Sequence, residues 1–175
     1  MPRLLAAAAL LASAAALPAA ARAQDPFEIQ VYEYEPVPRG MWNLETHANY
    51  TGHGTRQFEG PVAPTQGQSH LTFELTRGVT DWFEMAGYLV LARRPGEGPE
   101  YAGYRLRPRA RVPASWRWPV GVSLSLEVGF PRATFEENAT TLEVRPVLEK
   151  KLGKWQLDAN RVIGGALRGP GTGAG

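Results

Sequence analysis

The sequence predicts an all-β chain, an antiparallel up-and-down transmembrane β-barrel of at least seven strands, and three observations lead to it. Apolar and polar residues alternate with a period of two over seven segments, each near the ~8–11 residues that a tilted membrane strand needs. The connections between them alternate short and long, as periplasmic turns and external loops do in such barrels. All five tryptophans, Trp42, Trp82, Trp116, Trp118 and Trp155, fall at one edge of the sheet so built. Tyr50, Tyr101, Tyr104 and Phe130 fall at the other, giving an aromatic girdle at each membrane interface.

The first 23 residues read as a signal peptide. Arg3 is the positive start, Leu4 to Leu17 the apolar run and Ala21-Arg22-Ala23 the small-residue cleavage site before Gln24. The run is shorter and richer in alanine than the ~20 strongly apolar residues of a spanning helix. Without Arg3 and Arg22, the 19 Lys+Arg of the chain fall to the same number as its 17 Asp+Glu. A general attraction to nucleic acid is therefore not expected. No cysteine is present, which excludes disulfides and thiolate metal sites.

Residues 24–40 are expected to form an N-terminal periplasmic or lumen segment, and 41–163 the barrel strands. In the first strand, Trp42, Leu44, Thr46, Ala48 and Tyr50 alternate with Asn43, Glu45, His47 and Asn49. A long loop precedes His70 to Arg77, where Leu71, Phe73 and Leu75 oppose Thr72, Glu74 and Thr76. A short turn leads to Trp82 to Ala92, with Phe83, Met85, Leu89 and Leu91 against Glu84, Ala86 and Tyr88; strict alternation turns Trp82 to the polar side, which calls for a bulge or an inward ring. Tyr104 to Val112 follows, then Val120 to Phe130, where six apolar residues alternate with Gly121, Ser123, Ser125, Glu127 and Gly129. Leu142 to Glu149 and Trp155 to Ile163 complete the set. Residues 164–175 contain GALRGPGTGAG, which has no strand pattern and reads as a disordered Gly-rich tail.

The fourth segment, YRLRPRARV, places Arg105, Arg107, Arg109 and Arg111 on one face. With the apolar face toward lipid they line the lumen together with Glu74, Glu84, Glu127 and Tyr88. Simple hairpins would set Gly121, Ser123 and Ser125 opposite Arg109, Arg107 and Arg105, with Glu84 beside Arg111 and Tyr88 beside Arg107. Two readings follow: a brace in which inward Glu45, Glu74, Glu84, Glu127 and Glu143 balance the arginines, and an anion-attracting wall. The balance of charge favours the brace. Pro108 and Pro146 each remove a ladder hydrogen bond and mark expected bulges.

No catalytic constellation, cofactor site or metal site is expected. His53 and His70 lie at the outer mouth near Glu59, but without ligand spacing. Ser69 is adjacent to His70, and no G-x-S-x-G elbow occurs. Two sequons, at Asn49 and Asn138, are explained by chance.

The blocks DPFEIQVYEYE (25–35), MWNLETHANYTGHG (41–54) and LTRGVTDWFEMAGYLV (75–90) resemble bacterial outer-membrane barrels, namely transporters associated with the meta-cleavage pathway of phenol degradation and related barrel porins. The resemblance implies a non-enzymatic passive pore or transport protein of the bacterial outer membrane. It would pass small hydrophobic or aromatic solutes, with membrane lipid and the barrel assembly machinery as partners. Members of that family continue through further strands to an aromatic C-terminus. Seven strands is also an odd number for a bacterial barrel. Either Phe27 to Glu33 supplies an eighth strand, or the chain is a shortened product, the reading favoured here. A secreted soluble β-sandwich or lipocalin-like binding protein and an outer-membrane lipid-modifying hydrolase are the alternatives.

Overall fold

The structure, a computed structural model, describes residues 33–172; the expected signal peptide and the candidate strand Phe27 to Glu33, apart from its last residue, lie outside the described residues. The chain is all-β. Alternating segments become strands because every second side chain of a pleated backbone shares a face, so a period of two lets one face bury as a unit. The strands are β1 (Trp42–Tyr50), β2 (Ser69–Gly78), β3 (Phe83–Arg93), β4 (Pro99–Arg111), β5 (Gly121–Pro131), β6 (Thr140–Leu152), β7 (Trp155–Asn160) and β8 (Ile163–Arg168). Single turns of 3-10 helix occur at Ala114–Trp116 and Pro170–Thr172.

The sheet is an antiparallel meander in the order β1-β2-β3-β4-β5-β6-β7, and it does not return to β1. It is thus open in the described chain, and a closed barrel is not formed there. β8 corrects the expected disordered tail: residues 163–168 pair with Val144 to Thr140 of β6, just beyond the stretch of β6 that pairs β7. β7 and β8 thus succeed one another along one edge of β6. The break between them lies opposite Pro146, whose carbonyl accepts from Arg161 N–H at 3.3 Å on that edge. The nitrogen of a strand residue points to the same edge as its carbonyl, so the donor Pro146 lacks is missing there. At Pro108 the effect is smaller. The β4–β5 ladder omits Arg107 and Pro108 and resumes in the same register.

Two registers differ from those expected. Arg109 pairs with Ser125 and Arg111 with Ser123, a displacement of four residues, because the β4–β5 connection turns at Arg117, whose φ of 50° and ψ of 42° are left-handed. Glu84 pairs with Arg109 and Tyr88 with Arg105, a displacement of two. Both displacements are even, so no face is inverted. Trp82 stands before β3, in the turn, and is exposed, which removes the need for an inward ring.

A bulge between Val90 and Leu91 of β3 inserts Ala102 into β4. Tyr101 and Tyr104, three residues apart, are therefore both exposed, while Ala102 turns inward to pack with Val90, Ala92 and Phe135. Gly103 beside the bulge has φ +153°, and a Cβ there would stand 2.9 Å from the Phe130 carbonyl oxygen. Gly103→Val should destabilise the sheet by about 1–3 kcal/mol, the cost of a strained backbone position, with Gly103→Ala intermediate. Unfolding midpoints in urea check this; an unchanged midpoint for the valine variant would remove the bulge as a constraint.

Candidate functional site

The polar side chains of the strands converge on the concave face, where several ionic residues are almost fully buried. Glu84 is 0 % and Arg107 2 % exposed, whereas Leu44 on the opposite face is 65 % exposed. Arg107 lies between two carboxylates: its guanidinium donates to Glu74 Oε1 and, at 3.2 Å, to Glu84 Oε1. Arg109 Nε is 2.8 Å from the same Glu84 oxygen. Arg105 donates to Glu127 Oε1 at 2.9 Å, and Arg145 to Glu143 Oε2 at 3.0 Å. Arg107 also stands 5.8 Å over the Tyr88 ring. Ser123 and Ser125, buried opposite Arg111 and Arg109, leave room for these long side chains.

Residues 33–40 cross the concave face at the tryptophan edge. Arg109 donates to the carbonyls of Glu33 at 2.9 Å and Glu35 at 3.1 Å, and Arg111 pairs with the Glu35 carboxylate. Tyr34 is buried, donates its hydroxyl to the Val112 carbonyl at 2.6 Å and packs its ring over Gly121, where a Cβ would meet it at 2.9 Å. Val37 N–H donates to Glu84 Oε2 at 2.6 Å. Tyr34 and Glu35 are therefore members of the network that the alternation of the strands did not reveal. They lie 74 or more residues from their partners, and only the alternation in YEYE hinted that this segment has two faces.

The structure brings Arg105, Arg107, Arg109, Glu74, Glu84, Glu127 and Tyr88 together on one face, with Arg111 at its tryptophan end. The partnership expected for Glu84 changes, since it meets Arg107 and Arg109 in place of Arg111. Trp42, Trp82, Trp116, Trp118 and Trp155 are exposed along one edge; Tyr50 and Tyr104 are exposed at the other, where Tyr104 stacks on half-buried Phe130 at 4.7 Å. The outer histidines do not converge: His53 is exposed, and the ring nitrogens of buried His70 lie 2.7 Å from Asn49 Oδ1 and 2.8 Å from Gln68 Oε1. Ser69 is exposed and takes no part in that arrangement. What the paired concave face can do chemically is hold strands together and present a polar surface whose charges are matched.

No family model, curated protein or solved structure matches the chain.

Glu84→Gln leaves an acceptor for Val37 N–H but strips the shared negative charge from Arg107 and Arg109. The expected loss of stability is about 3 kcal/mol, toward the lower end of the cost of breaking a buried ion pair. Denaturant unfolding of the variant beside the parent measures it, and a loss below ~0.5 kcal/mol would mean that water already screens the network.

Proposed function

We propose that the chain forms the wall of a bacterial outer-membrane β-barrel and serves, without catalysis, as a passive pore or transport protein for small solutes. One observation carries the proposal: burial is inverted. Ions and hydroxyls fill the concave face, while Leu75, Leu89, Leu106, Leu124 and Leu126 stand exposed on the convex face. Burying a Leu side chain is worth roughly 1.5–3 kcal/mol. These five are 38–47 % exposed, so leaving them in water would forgo roughly 3–7 kcal/mol, a large part of the ~5–15 kcal/mol stability of a whole domain. Hydrocarbon removes that penalty. The exposed aromatics at both ends of the apolar band support the same reading, since Trp and Tyr favour the two membrane interfaces. No helix among the described residues is long and apolar enough to cross a membrane, so the crossing elements in this proposal are the strands.

A soluble sandwich would need a second sheet over the convex face, and the described chain has a single sheet. The paired arginines favour the brace over an anion-attracting wall, because Arg105, Arg107, Arg109 and Arg111 each have a carboxylate partner. The solute class, small and hydrophobic or aromatic, is proposed from the resemblance of residues 25–35, 41–54 and 75–90 to outer-membrane transporters. The signal peptide proposed for residues 1–23 would deliver the chain to the envelope, and membrane lipid and the barrel assembly machinery would be its partners.

Cell fractionation should place the chain with the outer membrane, and proteoliposomes carrying it should pass small solutes faster than empty ones. Recovery as a soluble, detergent-independent protein would overturn the proposal. Within the inserted protein, Leu124→Arg should cost about 2–4 kcal/mol, the midplane penalty for a lipid-facing cation. Ser123→Arg, one residue away on the buried face, should act by crowding, so its cost should not depend on bilayer thickness. Folding titrations in short- and long-chain lipid separate the two effects.

A further inference from the structure

The β1–β2 register sets Glu45 directly opposite Glu74 on the concave face, and the period of two brings His47 to the same face one rung away. Like charges directly opposed across a strand pair are destabilising unless something stands between them. His47 Nε2 lies 3.9 Å from Glu45 Oε2 and 3.7 Å from Glu74 Oε2, too far for hydrogen bonds. One ligand atom from each of the three residues falls within 4.8 Å of the others. Around a zinc ion with bonds of ~2.1 Å the corresponding tetrahedral edge is about 3.4 Å, so a small inward movement would close the set.

A second observation points to a ligand. Glu74 is 1 % exposed, and its Oε2, aimed at His47, has no hydrogen-bond partner. His47 Nε2 is likewise buried and without a hydrogen bond. Native structures rarely leave such atoms unsatisfied. The other Glu74 oxygen accepts from Arg107 and, at 3.0 Å, from Thr76 Oγ1, which holds the carboxylate with Oε2 facing the gap. Asn43 Nδ2 orients Glu45 similarly, donating to its Oε1 at 2.7 Å. Outer hydrogen bonds of this kind position metal ligands.

We propose that Glu45, His47 and Glu74 bind a first-row divalent cation of the zinc class. One imidazole nitrogen and two carboxylate oxygens suit Zn²⁺ better than Ca²⁺ or Mg²⁺, which take oxygen, or Cu(I), which takes sulfur. Glu45 and His47 are only half-buried, on the edge strand β1, which gives the ion a way in and a solvent-facing position for water. The site needs only the β1–β2 pairing, so zinc uptake is independent of where the chain resides.

Calorimetric titration of the purified, chelator-stripped full chain with Zn²⁺ should give saturable uptake of one ion per chain. His47→Ala and Glu45→Gln should each weaken binding more than tenfold, while His53→Ala, in the exposed loop, should leave it unchanged. Glu74 is spared because Arg107 depends on it. Loss of binding in His53→Ala with His47→Ala unaffected would overturn the proposal, as would the absence of stoichiometric uptake. Should a variant fail to fold, the His47 ring resonances of the parent chain decide: they must shift on addition of Zn²⁺, and resonances that stay in place overturn the site.

Discussion

Arg107, held between Glu74 and Glu84, is the contact that ties three strands of the sheet together. Its guanidinium joins β4 to carboxylates on β2 and β3, and all three groups are almost fully buried. A charge removed from water is tolerated only where its partners meet it at close range. The long Arg107 side chain reaches past β3 to Glu74 on β2, so one guanidinium ties together three strands, two of which are not neighbours in the sheet. Ala86 and the serines of β5 are small where the arginines are large, and this difference in volume lets charged side chains fill a space that bulkier neighbours would close.

The two ends of the concave face are finished differently. At the tryptophan edge residues 33–38 lie across it as a strap, tied by Arg109, Arg111, Glu84 and the Tyr34 hydroxyl. At the other edge Val90, Ala92, Ala102 and Phe135 form a small apolar cluster beneath the long loops. Those loops are tied together by Ala63 N–H donating to the Thr134 carbonyl at 2.8 Å, and within the first of them the hydroxyls of Thr55 and Thr65 accept from each other's backbone. The ionic brace thus lies between a polar strap at one end and an apolar cluster at the other. The proposed cation site flanks that brace on the edge strand, and shares Glu74 with it.

The convex face follows a different rule. There, apolar side chains stand exposed, with leucines along the strands and aromatic rings toward their ends. The bulge at Ala102 shows the rule acting on the backbone. One inserted residue lets two tyrosines of opposite parity both face outward and turns an alanine in toward Phe135.

The sequence by itself determined the strands and their two faces. Alternation is a local property of the pleat, so Trp42 to Tyr50 matches β1 residue for residue, and the inward set from Glu74 to Glu127 is read without knowing any neighbour. Tertiary structure decided what depends on two segments at once. The left-handed turn at Arg117 set the β4–β5 register and so gave Arg109 and Arg111 their serines. β8 formed in a glycine-rich stretch with no alternation because β6 offered it a free edge beyond the break at Pro146. Tyr34 and Glu35 reached the arginines across some seventy-five residues of chain, and Glu45 came to face Glu74 across a hairpin. Periodicity records which way a side chain points, whereas the partner it meets is set by turns, missing donors and long-range approach, which leave no period to read.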